Sequence, residues 1–124
     1  MPHELPRLAA RLAEMRSGIA ALSQSCQHLQ AQIIALEQQE AKLAAHAAKA
    51  RQMRRDDLAH VALARRHEAE SQRAELAVQL EQLRDEEAEL TIGAQRLQAT
   101  KARIYWSGLQ GQDGEDAFDA NGRL

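Results

Sequence analysis

The chain is predicted to be all-α: a long antiparallel two-helix coiled-coil hairpin with a disordered C-terminal tail. Three observations predict it: two separate runs of heptad-spaced apolar residues, the lack of glycine or proline between Ile19 and Ile92, and an abrupt change of composition after Trp106. In the first run Leu5, Leu8, Leu12, Met15, Ile19, Leu22, Cys26, Leu29, Ile33, Leu36, Glu40, Leu43, Ala47 and Ala50 alternate by three and four residues, and only Glu40 interrupts the apolar or small series. An undistorted helix turns every ~3.6 residues, so this spacing keeps one stripe on a partner only if the helices supercoil. The run predicts helix 1 over about 5–51.

The second run, Leu76, Leu80, Leu83, Glu87, Leu90, Ala94, Leu97, Lys101 and Ile104, keeps the same spacing and extends weakly back through Ala69 and Ala62. It predicts helix 2 over about 58–106, so the hairpin domain spans 1–106. With no glycine or proline to punctuate the middle, ordinary residues must make the reversal. The turn is expected at about 52–57, with Asp56 or Asp57 capping the second helix ahead of Leu58.

Folding there sets opposite one another residues whose numbers sum to roughly 110, given equal rise in both arms. That register places Gly18 against Gly93, Cys26 against Leu83 or Arg84, and Leu5 against Ile104, Tyr105 and Trp106. The aromatic cluster would then close the open end, and Ala44, Ala47, Ala48, Ala50, Ala59, Ala62 and Ala64 would let the helices approach near the tip. The glycine pair is open to three readings: a bend, a close helix contact, or tolerated low propensity. Beyond the hairpin, 107–124 intersperses Gly108, Gly111, Gly114 and Gly122 with Asp113, Glu115, Asp116 and Asp119, a flexible acidic tail by composition.

Composition narrows the function classes. A chain of 124 residues with one Phe, one Tyr and one Trp lacks the bulky interior of a globular enzyme. A net charge of −2 calls for neither nucleic acid nor a membrane. The lone Cys26 lies on the seam and fits a reducing compartment. Neither a signal peptide nor a membrane span is evident, so the expected location is cytoplasmic, with a peripheral position at the inner face of a membrane as its extension.

The candidate chemistry is sparse. Asp119, Asn121 and Gly122 resemble part of a calcium loop, but its first ligand would fall at Ala117 and its last beyond Leu124. His60 and His67 lack zinc-ligand spacing, and Glu86, Glu87 and Glu89 follow one another along a helix instead of flanking a cleft. No catalytic, cofactor-binding or metal residue is therefore expected, and the chain is read as non-enzymatic.

The charge pattern says more. Lys49, Arg51, Arg54, Arg55, Arg65 and Arg66 surround the tip, partly offset by Asp56 and Asp57. Glu68, Glu70, Glu75, Glu81, Asp85, Glu86, Glu87 and Glu89 dominate the stretch that follows. Arg51, Arg54, Arg55, Arg65 and Arg66 are thus the candidate partner-binding residues, for an acidic partner or another copy in a staggered array, while the missing aromatic interleaving argues against nucleic acid. Leu5, Leu8, Leu12 and Met15 with Arg7 and Arg11 form a candidate membrane face, but the seam needs the same apolar residues, so membrane binding is expected to be weak or absent.

Arg55, Asp56, Asp57, Leu58 and Ala59, continued by Ala62, Leu63, Arg65 and Arg66, then Gln72, Leu76, Gln79, Leu80 and Leu83, resemble the central hairpin of the phage shock protein A family, which includes the plastid vesicle-inducing proteins. Leu97, Lys101 and Ile104 are similar to a later part of the same pattern, and the resemblance covers roughly 19–106. The chain departs from the family in three respects. Arg54 stands where a turn glycine is common, the N-terminal amphipathic helix has no clear counterpart before Leu5, and an acidic tail replaces the later assembly helices. The resemblance implies a bacterial envelope-stress or membrane-maintenance protein reduced to its hairpin, acting by self-association as a homo-oligomer or by restraining a ring-shaped ATPase that activates transcription. The alternative is a coiled-coil stalk or adaptor of a secretion or flagellar ATPase; a third reading is a peripheral membrane-remodelling protein.

Overall fold

A computed structural model describes the backbone of residues 4–122 and the side chains of residues 4–109. It forms a helical hairpin of two helices, α1 (Glu4–Gln52) and α2 (Asp56–Gly122). Pro6 sits in the first turn of α1, where an amide hydrogen would have no intrahelical partner, so it does not break the helix. Glu4 at the start of α1, and Lys49 and Arg51 at its end, carry the charges that the helix dipole favours at each terminus.

The reversal is tighter than the expected 52–57. Only Met53, Arg54 and Arg55 leave the helices; Gln52 belongs to α1, and Asp56 and Asp57 to α2. The Arg54 amide donates to the Arg51 carbonyl at 3.0 Å and the Arg55 amide to the Ala50 carbonyl at 2.7 Å, the paired bonds of a Schellman cap. Such a cap needs a left-handed residue, and Arg54 supplies it with φ 57°. The Ala59 amide donates to the Arg55 carbonyl at 3.1 Å, so Arg55 is the N-cap of α2.

That corrects the expected cap. Asp56 and Asp57 sit one and two places inside α2, because the cap that ends α1 runs directly into Arg55 and leaves no spare residue between the helices. Asp57 instead takes both arms of the Arg55 guanidinium at 3.2 Å. This fork, with backbone amides at the helix start, holds the Asp57 carboxyl below its ordinary range.

A side chain at a left-handed position is strained by roughly 1 kcal/mol or more, a strain that glycine lacks. Arg54→Gly is therefore expected to stabilise the hairpin by about 0.5–1 kcal/mol, part of the gain being lost to the freer unfolded chain. Urea unfolding followed by circular dichroism checks this, and a lower midpoint would contradict the cap.

Two compact units make up the chain: Ala21–Glu87, which contains the turn, and Met1–Ala20 with Ala88–Leu124. In the turn unit every α1 seam residue from Leu22 to Ala50 is shielded, with Cys26, Leu43, Ala47 and Ala50 buried. Ala59, Ala62, Ala69 and Leu80 meet them from α2. Of the alanines expected to let the helices approach, Ala47, Ala50, Ala59 and Ala62 are buried, whereas Ala44 is half-buried and Ala48 and Ala64 are exposed.

Two polar pairs cross this seam. Arg73 donates to both carboxylate oxygens of Glu40 at 2.6 and 3.1 Å, so the one interruption of the α1 run has its answer at the facing position. The Cys26 thiol donates to Glu87 at 3.8 Å, about one turn past the expected Leu83 or Arg84. Burial, with the adjoining Glu87 charge, pushes that thiol up.

In the second unit the expected seam residues are again shielded, with Leu12 and Ala94 buried. Both glycines receive a side chain from the other helix. A Cβ at Gly18 would lie 3.0 Å from Leu90 Cδ2, and one at Gly93 would lie 2.9 Å from Met15 Cε. The pair marks a close helix contact, one of the three readings left open by the sequence. Tyr105 and Trp106 stack edge to face, centroids 6.0 Å apart, and together with Leu5 they line a groove. They leave it open, both rings being more than half exposed.

α2 also passes its expected end at Trp106: its backbone is helical to Gly122, through most of the segment expected as a tail. Extending a formed helix adds one hydrogen bond for each residue fixed, so glycine, although unfavourable within a helix, does not by itself end it. The side chains of the acidic segment from 110 onward, where most of the expected flexible tail falls, lie outside the described residues. Among the described residues no helix is long and apolar enough to cross a membrane.

Candidate functional site

The tip gathers apolar and basic side chains from the end of α1, the turn and the start of α2. Ala59, Ala62 and Ala69 occupy the α2 seam, which turns Leu58 and Val61 out of it. Leu58 is 49% exposed, Val61 50% and Met53, in the turn, 65%. With Leu43 and Ala50 from α1, these three line an open groove of about 320 Å³. Ala62, His46, Lys49 and Arg65 complete the lining, which contains no carboxylate.

Exposed large apolar side chains gathered in one place mark interaction surfaces more reliably than scattered ones do. Methionine adds adaptability, since its unbranched thioether refits to different partners. The basic rim adds the charge selectivity that an apolar surface alone lacks.

The five arginines expected to bind a partner divide into distinct situations. Arg65 lines the groove. Arg51 and Arg54 are exposed, and among the described residues neither is in an ion pair. Arg55 is committed to Asp57, and Arg66 to Glu70 at 3.1 Å, one turn along α2. The tip arginines are therefore exposed, but two are partly neutralised locally, and the apolar groove is the better-defined feature.

The sequence reading missed Met53, Leu58 and Val61 as surface residues. The signal was present: counted back from Leu76 through Ala69 and Ala62, the heptad frame reaches Ala59 and leaves Leu58 and Val61 outside. Large apolar residues off the frame, with alanines on it, predict an exposed patch.

In the candidate membrane face Leu12 is buried at 2% exposure, while Leu5, Leu8 and Met15 are half-buried in the hairpin. Arg7 and Arg11 are exposed. Insertion into a bilayer would compete with helix pairing for the same side chains. His60 and His67 are both exposed, and His67 lies 3.9 Å from Glu70. Among the described residues no group of three or more His, Cys, Asp or Glu is placed to hold a metal ion.

No protein-family model matches the chain, no curated protein matches it, and no solved structure matches it.

Proposed function

We propose that this chain is a non-enzymatic coiled-coil interaction protein, acting through its hairpin tip by self-association or by binding a regulatory protein partner. The observation that carries this reading is the exposed cluster of Met53, Leu58 and Val61 between Lys49 and Arg65, on a turn whose backbone is fixed by paired caps. A rigid turn holds such a surface ready, so little ordering is needed on binding. The resemblance of the tip sequence to the phage shock protein A hairpin supports a role in envelope stress or membrane maintenance, with a transcription-activating ring ATPase as one partner.

The test is the triple variant Met53→Ser/Leu58→Ser/Val61→Ser. All three side chains are about half exposed or more, so helix content by circular dichroism is expected to persist. Association, with itself by sedimentation or with proteins of a native lysate by quantitative capture, is expected to fall at least about tenfold, as loss of a small apolar hot spot requires. Undiminished association would place the interaction elsewhere.

A peripheral membrane role has one observation in its favour, the exposed Tyr105 and Trp106 beside Leu5 and Lys101. Aromatic rings with a nearby cation suit a membrane interface. Co-sedimentation with anionic vesicles separates the two roles, because the tip variant would bind vesicles like the unaltered chain.

A further inference from the structure

We infer that the tip groove of one copy receives an outward face of α2 from a second copy, centred on Val78. This rests on the tip being the interaction surface and names its occupant. Val78 is 55% exposed although flanked by seam residues, and Glu75, Glu81 and Asp85 lie on the same side of α2, all exposed. Spacings of three and four residues put these four side chains on one helical face. The face therefore presents one branched apolar side chain bordered by carboxylates, whereas the groove presents Met53, Leu58 and Val61 bordered by Lys49 and Arg65. The two surfaces complement one another in both polarity and charge, and both belong to the turn unit.

The geometry of such a contact decides what assembles. Tip and flank are different patches, so the contact is heterologous: each copy keeps a vacant tip or a vacant flank after the first pairing, and association propagates in a staggered row. A single groove of this size covers far less than the ~1,200 Å² of a stable standard interface, so the association is weak and read at high protein concentration. Its charge component reaches only ~8 Å at physiological ionic strength, so added salt disperses the row.

Two variants of the full chain test the pairing. In the tip variant, Lys49→Glu and Arg65→Glu reverse the rim; in the flank variant, Glu81→Lys and Asp85→Lys reverse the face. All four side chains are exposed, and circular dichroism verifies that each variant stays helical; Lys49→Gln with Arg65→Gln replaces the first should it not. Sedimentation velocity at low salt is expected to show concentration-dependent larger species for the unaltered chain and a monomer for each variant. An equimolar mixture of the two variants presents reversed tips to reversed flanks and intact tips to intact flanks, so it is expected to associate again, disappearing when Val78→Ser is added to both.

A mixture that stays monomeric overturns the inference, as does association that survives in either variant alone. If the unaltered chain is monomeric throughout while the triple tip variant loses capture of another protein, the inference falls and the tip reading stands. If the triple tip variant loses neither, both fall.

Discussion

Leu80→Ala is expected to lower the unfolding free energy by about 2–3 kcal/mol, the lower part of the range for a leucine removed from a packed site. Leu80 is 7% exposed in the α2 seam, yet the seam of two helices is open on both sides, so part of the space left behind fills with water instead of remaining a cavity. Domains of this size hold a margin of only about 5–15 kcal/mol, which makes the loss a substantial share. Val78→Ala, two positions away at 55% exposure, is expected to change stability by no more than about 0.5 kcal/mol. Paired urea titrations check both. Equal midpoints for the two variants would mean that the seam frame is wrong.

The second large effect concerns Glu40 and Arg73. The Glu40 side chain is only 12% exposed, whereas that of Arg73 is 38% exposed. Removing one partner is consequently asymmetric. Arg73→Ala strands a largely covered carboxylate and is expected to lower the thermal midpoint by several degrees; Glu40→Ala leaves a guanidinium whose long stem can carry it to water, and the loss is smaller. Replacing both by leucine is expected to raise the midpoint above that of the unaltered chain, because apolar packing removes the desolvation penalty of the pair.

The double leucine variant should also lose alignment. A 3/4 apolar run matches itself after a shift of one heptad, and a polar pair within the seam penalises every register that separates its members. Spin labels at exposed positions on either side of the pair are expected to give one distance in the unaltered chain and a broadened distribution in the variant. A single unchanged distance would show that the turn alone sets the register.

Most of the seam was legible because heptad spacing is a direct record of which side chains face a neighbour. Leu12, Cys26, Leu43, Ala47 and Ala50 are buried where the frame puts them, and so are Ala62, Ala69, Leu80 and Ala94. Pairing across the seam was less legible, since a register known within a few residues leaves about one turn of freedom. That margin moved the partner of Cys26 to Glu87 and hid the partnership of Glu40 with Arg73. The cap was misread because aspartate usually stops short of a helix to bind its amides, while here the Schellman bonds consume the residues ahead of it. The tip groove escaped notice because it depends on which of two adjacent apolar residues, Leu58 or Ala59, the frame selects.

The reversal at Met53–Arg55 bears on mass action. With only three residues outside the helices, the first turns of α2 are tethered beside the last turns of α1 at an effective concentration in the range of millimolar or above. A free partner helix at micromolar levels competes poorly for a stripe that is already matched at that local concentration. The seam is thus spent inside each molecule, and recruitment is left to side chains that the heptad frame casts outward.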